Sequence, residues 1–131
     1  MPISLPIPNS TPMIIVNENS VNIPYNTYRW NYFSGNAGDT CHITVTASNP
    51  VDILVMDTAN FKVYNSGASS DSAASFKGKI FNSVTSSDFD FVLPSTGTYY
   101  VVIENSPFLT NGADAKTSVT ASTKISLTPN N

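Results

Sequence analysis

Residues Asp88–Asn105 read DFDFVLPSTGTYYVVIEN, and this stretch decides the fold. Phe89, Phe91 and Leu93 alternate with Asp88, Asp90 and Val92, giving one apolar face and one mostly polar face. That is the period of a half-buried strand. Pro94-Ser95-Thr96-Gly97 then breaks the run, with glycine free to take positive φ. Thr98–Ile103 follows, β-branched and aromatic and apolar on both faces, as in a central strand. Strand, tight turn, strand is the expected order, and it forms the spine of a β-sandwich.

The same grammar extends outward. Cys41–Ala47 alternates, with Cys41, Ile43, Val45 and Ala47 inward and His42, Thr44 and Thr46 outward. Val51–Met56 is apolar on both faces apart from Asp52. Met13–Val16, Val21–Ile23, Tyr25–Phe33, Phe61–Tyr64 and Phe76–Phe81 are further strand candidates, and Thr117–Leu127 is a long alternating one. Turns are expected at Asn17–Ser20, Ser34–Asp39, Ser48–Pro50 and Asp57–Asn60, with a small-residue loop over Asn65–Ala74. No stretch has convincing helical periodicity. The expectation is an all-β chain: an antiparallel, jelly-roll-like β-sandwich of eight or nine strands with no substantial helix. Residues 1–12 read as an extended, proline-rich N-terminal arm and 13–131 as a single sandwich domain.

A chain of 131 residues suits one domain. Only 11% of its residues are charged, well under the usual quarter, so Ser, Thr and Asn must keep it soluble. That composition favours an extracellular or cell-surface protein. Pro2, Pro6 and Pro8 interrupt an N-terminus without a basic region, so no signal peptide is read; a mature exported domain with Met1 added is the favoured expectation, and a native protein with no cleaved signal the alternative. The net charge of −3 comes with scattered Lys and Arg, which excludes a phosphate-backbone footprint and hence nucleic acid. No segment approaches the ~20 apolar residues of a membrane helix, so no membrane insertion is expected. The single cysteine, Cys41, rules out an internal disulfide and reads as a small core hydrophobe. Asn9-Ser10-Thr11 is a glycosylation sequon on an arm expected to be unmodified.

Catalytic chemistry finds little support. His42 is the one histidine, and its strand position turns it away from Cys41. A Cys–His dyad is therefore geometrically poor, and zinc needs more ligands than these two. No catalytic residue and no cofactor other than calcium is expected. Asp88 and Asp90 share a strand face, roughly 7 Å apart. They suit a calcium site or a glycosidase carboxylate pair, with a solvated strand face as the plainer reading. Asp52, Asp57 and Asn60 form a second oxygen-rich calcium candidate set, against which stands ordinary turn capping. Tyr28, Trp30 and Tyr32 share one face. Exposed, they stack on carbohydrate; buried, they serve the core.

In order, the strand Tyr28–Phe33, the turn Gly38-Asp39, the strand Cys41–Ala47, the Val51–Val55 strand ending in Asp57, and the Pro94–Asn105 run form a recognisable series. It resembles the pre-peptidase C-terminal domain of secreted bacterial and archaeal proteins, and the related Golgi-dynamics β-sandwich. The resemblance covers roughly residues 20–127 and implies an accessory module for binding, targeting or surface assembly, without catalysis.

A two-sheet sandwich covers only one face of each sheet. Leu54 and Met56, or Tyr99, Val101 and Ile103, would then lie on an outer face, although burying each such side chain is worth roughly 1.5–3 kcal/mol. The chain's own segment around Met13–Val16, or a second copy, is expected to cover them. The functional expectation is a non-catalytic extracellular module for binding or adhesion, meeting a protein or carbohydrate. The alternative is a self-assembling subunit of a filament, pilus or viral coat that contacts its own copies through the arm.

Overall fold

Six strands and one helix make up the described residues of this computed structural model, which are 12–65, 78–107 and 112–130. In chain order these are β1 (Met13–Ile23), β2 (Thr27–Gly35), β3 (Thr40–Asp57), α1 (Thr58–Asn65), β4 (Gly78–Val92), β5 (Gly97–Asn105) and β6 (Val119–Thr128). The strands form one antiparallel sheet in the order β1-β6-β3-β5-β2, with β4 on the other edge of β3. Residues 1–11, with the sequon and nearly all of the expected arm, and residues 66–77, with nearly all of the expected loop Asn65–Ala74 and the start of the expected strand Phe76–Phe81, lie outside the described residues.

The long strand β3 organises the sheet. β4 runs along one edge of it from Thr40 to Met56. On the other edge, Thr40–Ala47 pairs with β6 and Asp52–Asp57 pairs with β5. Val92 of β4 sits opposite Thr40, and Tyr99 of β5 sits opposite Asp57. The chain between Val92 and Tyr99 reaches at most ~25 Å, whereas an 18-residue strand drawn straight is roughly 56 Å long. β3 must therefore bend, and its register shifts between Thr46 and Ile53 mark the place. The sheet curls, and its halves face each other.

Between the halves lies the main core. Ile43 and Val45 from the first half of β3 meet Ile53 and Val55 from the second, with Phe91, Tyr99, Val101, Ile103, Val119 and Ile125. The alternation read from Cys41–Ala47 and from Phe89–Leu93 has the expected inward faces: Cys41, Ile43, Val45, Phe91 and Leu93 are buried and Phe89 is half-buried. The curl also brings the free margins together. Glu18 of β1 accepts hydrogen bonds from Arg29 and Asn31 of β2.

Several expected turns are instead irregularities inside longer strands, which is why six strands stand where eight or nine were expected. Asn17–Ser20 lies within β1, with Ser20 at φ 53° beside a register shift. Ser48–Pro50 is the bend of β3. Ser83, at φ 55°, lies in a bulge of β4 and joins two expected strands into one. A bulge adds one residue and a sharper twist without ending the strand, so its local sequence looks like a turn. The spine segment forms strand, turn and strand, but β4 and β5 do not pair with each other: they lie on opposite edges of β3.

The expected absence of helix is also corrected. Residues read as a turn and a short strand form α1. Asp57 Oδ1 accepts from the Asn60 backbone N–H at 2.9 Å and its side-chain amide at 2.7 Å, which caps the helix start. Phe61 and Tyr64, three residues apart, then point to one side and are buried. They cover the outer face of β3 and β5, joining Leu54, Met56 and Val102 in a second cluster. The chain's own helix, and not β1, thus supplies a cover for this face. On β5 the outward residues are Tyr100 and Val102, whereas Tyr99, Val101 and Ile103 belong to the inner core.

Candidate functional site

The outer face beneath and beside α1 holds three rows across β3, β5 and β2. They are Asp52–Glu104–Tyr28, Leu54–Val102–Trp30 and Met56–Tyr100–Tyr32. Strand period 2 puts all nine side chains on one face. The middle and last rows are aromatic towards β2, the strand at the sheet margin.

Tyr28, Trp30 and Tyr32 do share one face, as the alternation implies, and it is this outer one. Phe61 stacks flat on Tyr100, with centroids 4.0 Å apart and planes 3° from parallel. Trp30 meets Phe61 edge-on at 5.2 Å and Tyr100 at 5.7 Å. Tyr28 packs edge-on against Tyr64 and donates its hydroxyl to Asn65 at the end of α1. Burial grades along the stripe: Tyr28 is half-buried, Trp30 is 41% exposed and Tyr32 is 59% exposed. The Trp30 and Tyr32 rings are inclined at 43° to each other. The two rings are therefore not coplanar. Anchored aromatic rings on a rigid strand at a margin are the usual anchors of a protein–protein contact.

The expected oxygen sets do not converge. Asp57 and Asn60 are used on each other at the helix cap. Asp52 is five residues away on the strand, fully buried, with Oδ1 accepting from the backbone N–H groups of Ser83 and Ala113, each at 2.8 Å. Asp88 and Asp90 stand exposed on β4 and hold His42 between them, at 2.7 Å from Nε2 and 2.6 Å from Nδ1. They grip opposite edges of the ring, so the three groups do not point at a common centre. Their hydrogen bond and charge, that of Asp90 foremost, raise the His42 pKa above its ordinary value. Among the described residues, no group of three or more His, Cys, Asp or Glu is placed to hold a metal ion.

The residue that sequence reasoning missed is Glu104. It is directly opposite Asp52 and 2% exposed, and burial is the main cause that pushes its carboxyl up to about 7. Asp52 is shifted upward too, again chiefly by burial. The sequence did carry a signal. Asp52 and Glu104 are charged residues set in or next to the two runs that are apolar on both faces.

A separate cleft of about 370 Å³ opens at the end of the fold, between Met56, Lys79, Phe91, Pro94 and Tyr99. Its one hydroxyl nucleophile besides tyrosine, Ser95, is paired with the Tyr99 hydroxyl at 3.1 Å. Asp57 lines the cleft too, but its Oδ1 is engaged by Asn60 at the helix cap, and the single histidine is on the exposed face of β3 with its two aspartates. Cys41 is fully buried and its thiol is pushed up to about 12, mainly by burial, which keeps it from acting as a nucleophile.

No family model matches this sequence, and no curated protein matches it. Among solved structures, the chain is similar to PliG of Aeromonas hydrophila, a periplasmic lysozyme inhibitor of g-type lysozyme. The TM-score is 0.52 at 15% identity, over 84% of this chain and 87% of PliG. The two share a fold.

Proposed function

We propose that this chain is a non-catalytic binding module of the extracellular or periplasmic space, and that it recognises a protein through the aromatic margin of β2. The observation that carries this reading is the Trp30–Tyr32 pair, exposed yet fixed from behind by Phe61 and Tyr100. Rigid aromatic side chains supply much contact area at little entropy cost. The low charge and Ser/Thr/Asn-rich surface support an exported setting, as does the resemblance to pre-peptidase C-terminal domains. Similarity to an inhibitor of g-type lysozyme supports a protein partner. In this reading the two halves of the curled sheet act as a jelly-roll-like β-sandwich, a stiff frame that presents one margin.

The test uses g-type lysozyme and chito-oligosaccharides as two separate probes, with melting temperature as readout. A partner specific for the folded chain raises it. The expected result is a rise with the protein probe that is lost in Trp30→Ala and Tyr32→Ala, each measured against its own melting temperature without the probe. A rise retained in both variants would remove the β2 margin from the reading. A rise with the sugar alone would establish carbohydrate as the ligand instead.

One observation favours self-association. Met13 and Ile14 are 59% and 57% exposed at the start of β1, the other marginal strand of the sheet. An exposed apolar margin is the condition for strand addition between copies. In size exclusion, Met13→Lys/Ile14→Lys would then run smaller than the parent.

A further inference from the structure

The pair Asp52 and Glu104 lies at the closed end of the outer face, where no aromatic ring is exposed. Residues directly opposite on antiparallel strands have Cβ atoms about 4.5–5.5 Å apart. Both side chains are buried, at 0% and 2% exposure. Bulk solvent therefore does not screen the two charges, and two ionised carboxylates in that position repel strongly.

The hydrogen bonds already made leave one arrangement. Asp52 Oδ1 has two donors, the N–H groups of Ser83 and Ala113. Asp52 Oδ2 is buried and has no partner among the described residues. Glu104 Oε2 accepts from the Ser106 hydroxyl, and its other oxygen remains. The groups around the pair offer no compensating cation. Tyr28 faces it from β2, with its hydroxyl turned to Asn65 of α1. β4 contributes the Ser83 amide and the 112–118 segment the Ala113 amide. Asp114, next in that segment, is bonded to Tyr25. Arg29 is engaged by Glu18, and among the described residues no lysine or arginine forms an ion pair with either carboxylate.

We infer that Asp52 and Glu104 form a one-proton site, in which Glu104 carries the proton and donates it to the free oxygen of Asp52. The single remaining negative charge stays on Asp52, where two amides already meet it. The consequence reaches three segments. Asp52 Oδ1 ties the left-handed bulge at Ser83 and the segment at Ala113 to β3. Tyr28, in electrostatic contact with Glu104, is bonded to the end of α1. With the proton in place these parts are held together; its loss puts a second charge among them.

The sign follows from linkage. Between the ordinary carboxylate pKa and the raised folded value, the folded state holds one more proton than the unfolded state, so stability falls as pH rises through that window. The slope is about tenfold in the folding equilibrium per pH unit.

The experiment follows carboxyl carbons by NMR, and thermal melting, from pH 3 to 9 in the full chain, Glu104→Gln and Asp52→Asn. In the parent, one carboxyl should titrate near neutrality and stability should fall from pH 5 to 8. Glu104→Gln places a permanent amide donor opposite Asp52, so the neutral titration and its share of the slope should vanish. Asp52→Asn removes the neighbouring charge and supplies a donor, so the Glu104 titration should move below the parent's while burial keeps it above the ordinary range. If Glu104→Gln does not fold, the Asp52→Asn titration still decides. Two parent carboxyls that both titrate below pH 5 would overturn the inference. So would a neutral titration abolished by millimolar calcium chloride, which would identify the ligand as a metal ion.

Discussion

Cys41 and His42 are neighbours with opposite surroundings, and each gives a measurable outcome. The Cys41 thiol is sealed in the inner core and pushed up to about 12. A thiol reagent should find no reactive group in the native protein and one equivalent in denaturant; native labelling at the denatured rate would contradict the buried placement. His42 titrates above its ordinary value because Asp90 bonds to it and Asp88 adds its charge. A raised histidine contributes stability that is present below the unfolded value near 6.5 and is lost as pH rises through the folded one. NMR of the imidazole should show a midpoint above 6.5 that drops in Asp90→Asn. Alternation alone revealed which of the two residues points inward, because strand period 2 is a local property. It did not reveal that Asp88 and Asp90 hold His42, since that depends on the register of β4 against β3.

At the scale of elements, α1 is the part the sequence concealed. It is eight residues long, too short for a helical period to stand out and below the length at which an isolated helix is stable. Its existence rests on a cap and on packing, and the two contributions can be separated. Asp57→Ala removes the acceptor for Asn60 and should cost about 1 kcal/mol. Phe61→Ala removes the ring stacked on Tyr100 over Leu54 and Met56 and should cost about 3 kcal/mol. Urea denaturation of both variants tests this; a larger loss for the cap than for the ring would mean that α1 is not held by the sheet beneath it. The same packing explains how the candidate binding face was half legible. The sharing of one face by Tyr28, Trp30 and Tyr32 was readable. That Phe61 would brace Trp30 and Tyr64 would brace Tyr28 from a helix was not, because contacts between distant segments leave no mark on local periodicity. Likewise, the two apolar-sided runs announced a covered face without saying what covered it.

Across the whole molecule, the ionisable groups combine into an unusual dependence on pH. Glu18 joins the two sheet margins, and Arg29 holds its carboxyl below the usual value. Asp39 is lowered by the backbone N–H groups of Asn130 and Asn36. Lowered carboxylates contribute stability above their unfolded pKa, which is lost as pH falls through the folded one. These two groups therefore weaken the fold on the acid side, below about pH 4. Glu104 acts in the opposite sense, its penalty growing as pH rises from about 4.5 and complete above about 7. His42 adds to the alkaline loss as pH rises past about 6.5. Asp52, raised by burial as well, adds to the loss with rising pH, and together these slopes leave a maximum on the acid side, near pH 4–5, where Glu18 and Asp39 are ionised and Glu104 and His42 are protonated. Proteins more often peak between about pH 5 and 8. Melting temperatures from pH 3 to 9 measure this directly. A maximum at neutral pH would mean that the buried pair does not hold its proton, whereas a peak near 5 that moves upward in Glu104→Gln would trace the alkaline loss to that residue.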